Sequence, residues 1–283
     1  MNKADVASAL ASAGMARITK DLDQLLAPSI RLTTTAASEG SLPTGCSKFG
    51  GLPDLPAGTL WPQGKNGALA FIAQVRLADA APYDSAHLLP VSGLLSFFYD
   101  ATQQTYGSDP GDRGGWQVFY HEGDTSRLQR LAAPASQPAN ARFTPCSVAF
   151  SGELTLPQQP ELDVPVLDWS DAEKQQYETF LANYPSAADR ATPHNRLLGH
   201  PDTIQDDMRL QCQLVSNGVT DFNDPHAASL RSGALNWRLL FQVDSDPNAG
   251  MRWGDAGMLY YWIEANALQA RQFDKTWLVL QSE

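Results

Sequence analysis

The chain has 283 residues, 43% of them hydrophobic, which suits one large domain or two small ones with a substantial core. Asp and Glu number 31 against 20 Lys and Arg, so the formal net charge is −11. This balance argues against nucleic acids and anionic membrane surfaces as partners, because proteins bind both mainly through cationic side chains.

The N-terminal segment and the cysteines predict a cytoplasmic protein. No basic start followed by an apolar stretch is present, and no stretch is long enough to span a bilayer. Cys46, Cys146 and Cys212 are odd in number and widely spaced, as is typical of reduced thiols. No nucleotide-binding, zinc-protease or serine-hydrolase motif occurs, so no cofactor is expected.

The hydrophobic periodicity predicts a strand-rich chain with a few helices. The first helix is expected over residues 4–26, before Pro28, and Ser170 with Glu173 forms a capping box that predicts another helix ending before Pro185. Residues 132–140 are rich in Ala and Pro and indicate a linker or exposed loop. A short helix is expected over residues 264–271, and strands over residues 69–77, 94–99, 116–120, 235–243, 258–263 and 276–280.

An internal repeat is the most informative pattern. Residues 48–54 (KFGGLPD) match residues 196–202 (RLLGHPD), each followed by an apolar strand with Gln-Val, at Gln74 and Gln242. The second copy carries about twenty additional residues before its Gln-Val strand. The repeat predicts an α+β fold, predominantly antiparallel, in which two β-rich halves (about 42–131 and 192–283) pack together with peripheral helices. The cleft between the halves is then the default ligand site.

The same motifs resemble those of a known family. KFGGLP at 48–53, LGHP at 198–201 and WGDAG at 253–257 are similar to elements of the YwqG-like family of unknown function. The resemblance runs from about residue 42 to 280 and implies a single, mostly β, bacterial domain over residues 1–283. It implies no established activity and no catalytic residues. Some relatives lie near toxin–immunity genes, which favours a protein-binding role.

Many relatives have two glycines where this chain has Gly199 and His200. The resemblance therefore predicts that the second turn is built differently from the first.

Five residues are candidates for ligand binding. Lys48 and Arg196 precede the two turns, where they either frame an anion site across the pseudo-twofold axis or form surface ion pairs with the following aspartates. Trp253 and Asp255 offer a stacking face and a carboxylate at the mouth of the cleft, or else build a Gly-Asp turn. Gln205 is an amide that either holds a turn or meets a ligand.

One acidic loop has calcium-like spacing. Asp244, Asp246, Asn248 and Asp255 occupy positions one, three, five and twelve of a calcium loop. Ala249 stands where such a loop needs Gly, and the flanking segments read as strands. The pattern favours a solvated hairpin loop, with calcium binding as an alternative.

The sequence thus favours a non-catalytic binding or interaction protein. The net charge of −11 suits a basic protein partner through electrostatic steering, and the many aromatic residues are of the kind enriched at interface hot spots. An immunity-type inhibitor of a toxin is the most specific version. The alternatives are an enzyme or sensor with a small polar ligand in the cleft between the repeats, and a calcium-binding module.

Overall fold

The computed structural model describes residues 2–164 and 166–283, with the backbone alone for Leu22. No helix in these ranges has the length and apolar character that a membrane span of about 20 residues needs. The helices are α1 (Lys3–Ser12), α2 (Thr19–Leu25), α3 (Leu77–Ala80), α4 (Asp171–Leu181), α5 (Ala187–Arg190), α6 (Arg209–Ser216), α7 (Pro225–Leu230) and α8 (Ala265–Gln269). The strands are β1 (Ala27–Ala36), β2 (Lys48–Phe49), β3 (Asp54–Leu55), β4 (Gln63–Gly64), β5 (Gly67–Ala68), β6 (Ala70–Arg76), β7 (Leu94–Tyr99), β8 (Trp116–His121), β9 (Gln129–Arg130), β10 (Cys146–Thr155), β11 (Arg196–Leu197), β12 (Trp237–Asp244), β13 (Met258–Glu264) and β14 (Trp277–Gln281).

Ten strands form one antiparallel sheet in the order β14-β13-β12-β11-β1-β10-β2-β6-β7-β8. The long strands β1 and β10 pair along their whole length, from Ala27 opposite Thr155 to Ala36 opposite Cys146. Four strands follow on either side of this pair, so the strand order is symmetrical about it. The predicted α+β fold with a predominantly antiparallel sheet is confirmed, but the halves share one continuous sheet instead of forming two.

The sheet curls so that its two halves face each other. Phe97 on β7 lies 4.5 Å from Phe241 on β12 and 5.2 Å from Tyr261 on β13, measured between ring centroids. Trp116 on β8 contacts Trp277 on β14 edge to face at 5.0 Å. Because these strands stand far apart in the strand order, such contacts require the sheet to close on itself around a shared aromatic core.

The single helix predicted over residues 4–26 is instead two helices, α1 and α2. Gly14 ends α1 with a φ of +81°, a conformation that glycine adopts without the penalty of a Cβ atom. The Met15 N–H then donates to the Leu10 carbonyl at 2.9 Å and closes the helix end. The side chain of Leu22, part of the predicted pattern, lies outside the described residues. These helices and α4 enclose a second apolar core that contains Val6, Leu10, Ile18, Trp169 and Tyr177.

The bounds predicted for the elements with a clear local pattern agree with the structure to within about two residues. The six predicted strands correspond to β6, β7, β8, β12, β13 and β14, and α4 begins at the predicted Ser170–Glu173 capping box. The central strands β1 and β10 were not predicted. The segment 132–140 is more than an exposed linker, because Gln137 is 5% exposed and donates its side-chain N–H to the Leu69 carbonyl at 3.0 Å.

Candidate functional site

A buried glutamine ties the first turn to the sheet. The Asp54 N–H donates to Gln74 Oε1 at 2.8 Å, and Gln74 Nε2 donates to the Cys46 carbonyl at 2.7 Å and to Asp54 Oδ2 at 2.8 Å. Gln74 is fully buried, and both its Nε2 hydrogens and its Oε1 have partners within the protein.

The second half has the same network. The Asp202 N–H donates to Gln242 Oε1 at 2.9 Å, and Gln242 Nε2 donates to the His194 carbonyl at 2.7 Å and to Asp202 Oδ2 at 3.1 Å. The two glutamines also occupy matching register positions: Gln74 lies opposite Lys48, and Gln242 lies opposite Arg196. Both networks therefore hold a turn against a strand. The repeated spacing of the aspartate and the glutamine thus has a structural role in each half.

Lys48 and Arg196 form buried ion pairs, whereas the sequence indicated either an anion site or surface pairs. Lys48 Nζ lies 3.0 Å from Glu39 Oε1 and 3.4 Å from Asp54 Oδ2, and its side chain is fully buried. The Arg196 guanidinium lies 2.7 Å from Asp202 and 3.1 Å from Glu153, with its side chain 5% exposed. Each cation is thus neutralised internally and anchors the turn that follows it.

The two turns both have positive φ at two corresponding positions, contrary to the expected difference. Gly50 and Gly51 have φ values of +57° and +68°, and Leu198 and Gly199 have +61° and +75°. A leucine at such a φ is strained, because its Cβ crowds the backbone. Leu198 is only 2% exposed, so its packing in the core opposes this strain.

Trp253 and Asp255 build a turn and do not line a cleft. Trp253 is 1% exposed, packs edge to face against Tyr99, and donates its indole N–H to the Asp244 carbonyl at 3.1 Å. The Asp255 side chain is 74% exposed and pairs with Arg252 at 2.9 Å. This arrangement corresponds to the structural interpretation of the WGDAG motif.

Gln205 holds the C-terminal segment. Its Nε2 donates to the Ser282 carbonyl at 3.0 Å, and its backbone N–H donates to Gln281 Oε1 at 3.2 Å.

The structure does not bring Lys48, Arg196 and Asp255 together. Lys48 on β2 and Arg196 on β11 are separated by β10 and β1 in the sheet. Their register positions are offset by four residues along these strands, so their Cα atoms lie about 20 Å apart. An active site composed of these three residues is not assembled.

The calcium-like loop uses its carboxylates on protein donors. Asp246 is fully buried and accepts hydrogen bonds from Thr34 Oγ1, Asn195 Nδ2 and the Asn248 N–H at 2.7–2.9 Å. Asp244 accepts from the His194 N–H at 2.7 Å. Within residues 2–164 and 166–283 no group of three His, Cys, Asp or Glu side chains is placed to hold a metal ion.

A second cluster of charges surrounds Arg196. Arg31, its register partner on β1, lies 2.9 Å from Glu153 and 3.0 Å from Asp189. Arg190 lies 2.7 Å from Asp202. Burial opposes ionisation of Asp202, but Arg196 together with the other cations outweighs it and holds the pKa of that carboxyl well below its ordinary value. Three arginines and four carboxylates, Glu178 among them, line this polar crevice of about 860 Å³.

A mainly apolar cavity of about 430 Å³ lies between the end of α2 and the second half of the sheet. We call it the helix-side cavity. Leu88 and Leu235, which line it, are 44% and 55% exposed and so mark its solvent side. Its apolar walls include Leu25, Pro28, Leu198, Trp237, Leu239 and Trp262. This volume falls within the range of about 300–1,000 Å³ of small-molecule sites.

Two residues that line the cavity each have a side-chain nitrogen without a hydrogen-bond partner among the described residues. Trp262 is 2% exposed, and its buried indole N–H has no acceptor among the described residues. His200 Nε2 lies 2.7 Å from the Leu25 carbonyl, which only accepts, so this nitrogen carries the proton. Burial lowers the pKa of His200, which favours the neutral ring and leaves Nδ1 as an acceptor.

In the first half, side chains fill the corresponding place. Phe71 lies opposite Phe98 just before an irregularity in β6, as Leu239 lies opposite Trp262 just before one in β12. In the first half, Trp61 packs edge to face on Phe98 at 6.2 Å and joins Phe71 in one apolar cluster. The place that Trp61 fills in the first half is therefore open in the second.

Sequence reasoning did not find the helix-side cavity. Its walls come from the start of β1, the segment around His200 and strands β12 and β13, which are far apart in the chain. The available signal was the additional segment in the second repeat, which predicts that the two halves differ beside their Gln-Val strands.

The comparisons with known proteins identify a family without an assigned activity. No protein of curated function matches the chain. Residues 47–282 match the family model described as a domain of unknown function, DUF1963. This match covers most of the chain, including both glutamine networks and every strand from β2 to β14. The chain therefore belongs to the DUF1963 family.

Proposed function

We propose that this domain, a YwqG-like member of its family, is a non-catalytic binding protein that holds a small molecule in the helix-side cavity. One observation carries the proposal: Trp61 fills the first half where the second half has a cavity of about 430 Å³. Protein interiors are otherwise close-packed, and an open site of this size lined by apolar walls and a few polar groups is typical of ligand binding.

The site differs in two respects from the ligand site expected from the sequence. It lies mainly beside the second half and next to the end of α2, and the first half contributes only Ala86 and Leu88 to its lining. Its walls are mainly apolar, so an apolar ligand body suits it better than a small polar one.

A binding role is favoured over catalysis by the state of the ionisable groups. Asp163 and Asp207, which line the cavity, lie 2.6 Å and 2.8 Å from the Arg209 guanidinium. Both carboxylates are therefore already engaged in ion pairs within the protein. The Nε2–H of His200 is engaged by the Leu25 carbonyl.

The proposal is tested with N-phenyl-1-naphthylamine, an uncharged probe that fluoresces in apolar surroundings. We expect one saturable site in the wild-type protein and binding at least tenfold weaker in Ala27→Phe, because Ala27 lines the cavity and a phenyl group there occupies it. Ala149→Phe is the matched control, since Ala149 is exposed on β10, the partner of the strand that carries Ala27. Absence of saturable binding, or equal binding to wild type and Ala27→Phe, would contradict the proposal.

The hypothesis of a basic protein partner, including that of a toxin bound by an immunity-type inhibitor, is supported by the net charge alone. All seven tryptophans are at most 9% exposed, so they build the core and are not available as interface hot spots. The charge of −11 still predicts that a basic partner, if captured, dissociates as salt rises from about 0.05 to 0.5 M. Capture that persists through this range would contradict a charge-driven interaction.

A further inference from the structure

We infer that the ligand of the helix-side cavity is an amphipathic carboxylate, with an apolar body inside the cavity and one carboxylate paired with Arg238 at the solvent side. This inference rests on the proposed function and adds the chemical class of the ligand.

Arg238 lies at the solvent side of the cavity. It lines the cavity together with Leu235, and both residues are exposed. Two hydrogen bonds hold its guanidinium there, because Nη1 donates to the Leu235 carbonyl at 2.6 Å and to the Trp237 carbonyl at 3.0 Å. A charged group that binds at this place keeps its contact with water and avoids most of the cost of desolvation, whereas the apolar walls beyond it suit a hydrocarbon.

The remaining N–H groups of Arg238 form the edge with which an arginine binds a carboxylate. The two carbonyls use both hydrogens of Nη1, and Nε and Nη2 donate to no acceptor in the part of the chain that the structure describes. The same Nε–Nη2 edge of Arg17 donates to the two carboxylate oxygens of Glu173 at 2.7 Å and 2.6 Å. Such paired, charge-assisted hydrogen bonds are stronger than neutral ones and match the planar shape of a carboxylate. The open edge of Arg238 therefore fits a ligand carboxylate.

The two carboxylates that line the cavity already have donors on every oxygen. Arg209 donates Nη1 and Nη2 to the two oxygens of Asp163 at 2.6 Å and 3.4 Å, and Nε to Asp207 Oδ2 at 2.8 Å. The other oxygen of Asp207 accepts from the Arg209 backbone N–H at 2.9 Å. A cationic ligand group would have to compete with Arg209 for these oxygens, whereas an anionic group finds the edge of Arg238 open.

Three probes of similar shape and different charge test this assignment. 2-Naphthoate, its uncharged counterpart 2-naphthamide and the cation 2-naphthylmethylammonium compete with N-phenyl-1-naphthylamine for the wild-type protein. We expect 2-naphthoate to displace the dye at concentrations about tenfold lower than the other two. Because Arg238 is exposed, this advantage should shrink as salt rises from about 0.05 to 0.5 M.

Arg238→Gln removes the charge and the carboxylate-binding edge. The advantage of 2-naphthoate over 2-naphthamide should fall toward unity in this variant, while the uncharged dye binds it about as well as wild type. Arg231→Gln is the matched control, since it changes the net charge equally. Arg231 is also exposed in the second half and donates to a backbone carbonyl, that of Phe222, but it does not line the cavity. The advantage of 2-naphthoate should be unchanged in Arg231→Gln.

The outcomes separate this inference from the function on which it rests. If 2-naphthamide or the cation displaces the dye as well as 2-naphthoate does, or if the advantage of 2-naphthoate survives in Arg238→Gln, the ligand class is wrong and the binding function stands. If the dye finds no saturable site in the folded wild-type protein, the binding function is wrong and the ligand class fails with it.

Discussion

Replacement of Trp61 by alanine tests whether the first half is filled where the second is open. Trp61 is 9% exposed, packs edge to face on Phe98 at 6.2 Å, and donates its indole N–H to the Leu69 carbonyl at 2.8 Å. Trp61→Ala removes the indole and leaves a space at the position that corresponds to the helix-side cavity.

The expected loss follows from packing alone. The Leu69 carbonyl also accepts from Gln137 Nε2 at 3.0 Å, so the substitution leaves no unsatisfied acceptor. Truncation of a buried aromatic side chain to alanine costs about 3–5 kcal/mol in the free energy of unfolding. For a chain of this length, that corresponds to a fall in melting temperature of about 6–20 °C.

Equilibrium urea unfolding measures the loss, and free indole tests its cause. Leu60→Ala is the matched control: Leu60 is the neighbouring residue and 86% exposed, so its free energy of unfolding should stay within about 0.5 kcal/mol of wild type. Indole at millimolar concentration should stabilise Trp61→Ala by more than it stabilises wild type, because it can occupy the new space. A loss below about 1 kcal/mol, or equal stabilisation of both proteins by indole, would refute this reasoning.

Three further predictions concern acid stability, backbone conformation and thiol reactivity. The pKa of Asp202 in the folded protein lies well below its unfolded value of about 3.9. Its ionised form therefore stabilises the fold fully above about pH 4, and this stabilisation is lost as the pH falls through the folded-state pKa. In urea titrations, the difference in unfolding free energy between wild type and Asp202→Asn should accordingly shrink below about pH 4. Gly107→Ala should lower the free energy of unfolding, measured by thermal unfolding, several-fold more than Gly58→Ala does. Both glycines have φ near +80°, but an added Cβ at Gly107 collides with the Leu278 carbonyl, whereas at Gly58 it meets open space; equal losses would contradict this. Cys46 is the only one of the three cysteines that is not fully buried, and partial burial raises the pKa of its thiol. Ellman's reagent at about pH 8 should therefore modify Cys46 slowly, and Cys146 and Cys212 only after denaturation. Fast modification of all three thiols in the native protein would overturn this.

The sequence by itself determined the elements that rest on local pattern. The strands around Gln74 and Gln242 were predictable because an apolar strand bounded by turns has a short-range signature, and the capping box at Ser170 marks a helix start within four residues. The alignment of residues 48–54 with 196–202, and of the Gln-Val strands that follow them, also placed two cations, two aspartates and two glutamines in corresponding positions. The glutamine and the aspartate form the same hydrogen bonds with each other in the two halves.

Only the tertiary structure decided what these residues do. Lys48 can be buried because Glu39 and Asp54 neutralise its charge. Arg196 can be buried because Glu153 and Asp202 neutralise its charge. Some of these carboxylates, such as Glu153, are distant in sequence from the cation that they pair with. Strands β1 and β10 are stabilised by pairing with each other across more than a hundred residues of sequence. Their formation therefore depends on each other more than on the local hydrophobic pattern of either segment.

The helix-side cavity is decided in the same way. It exists because the end of α2, the segment around His200 and strands β12 and β13 meet without a side chain equivalent to Trp61. An unfilled volume is a property of how distant segments pack together, and no residue in the chain encodes it locally.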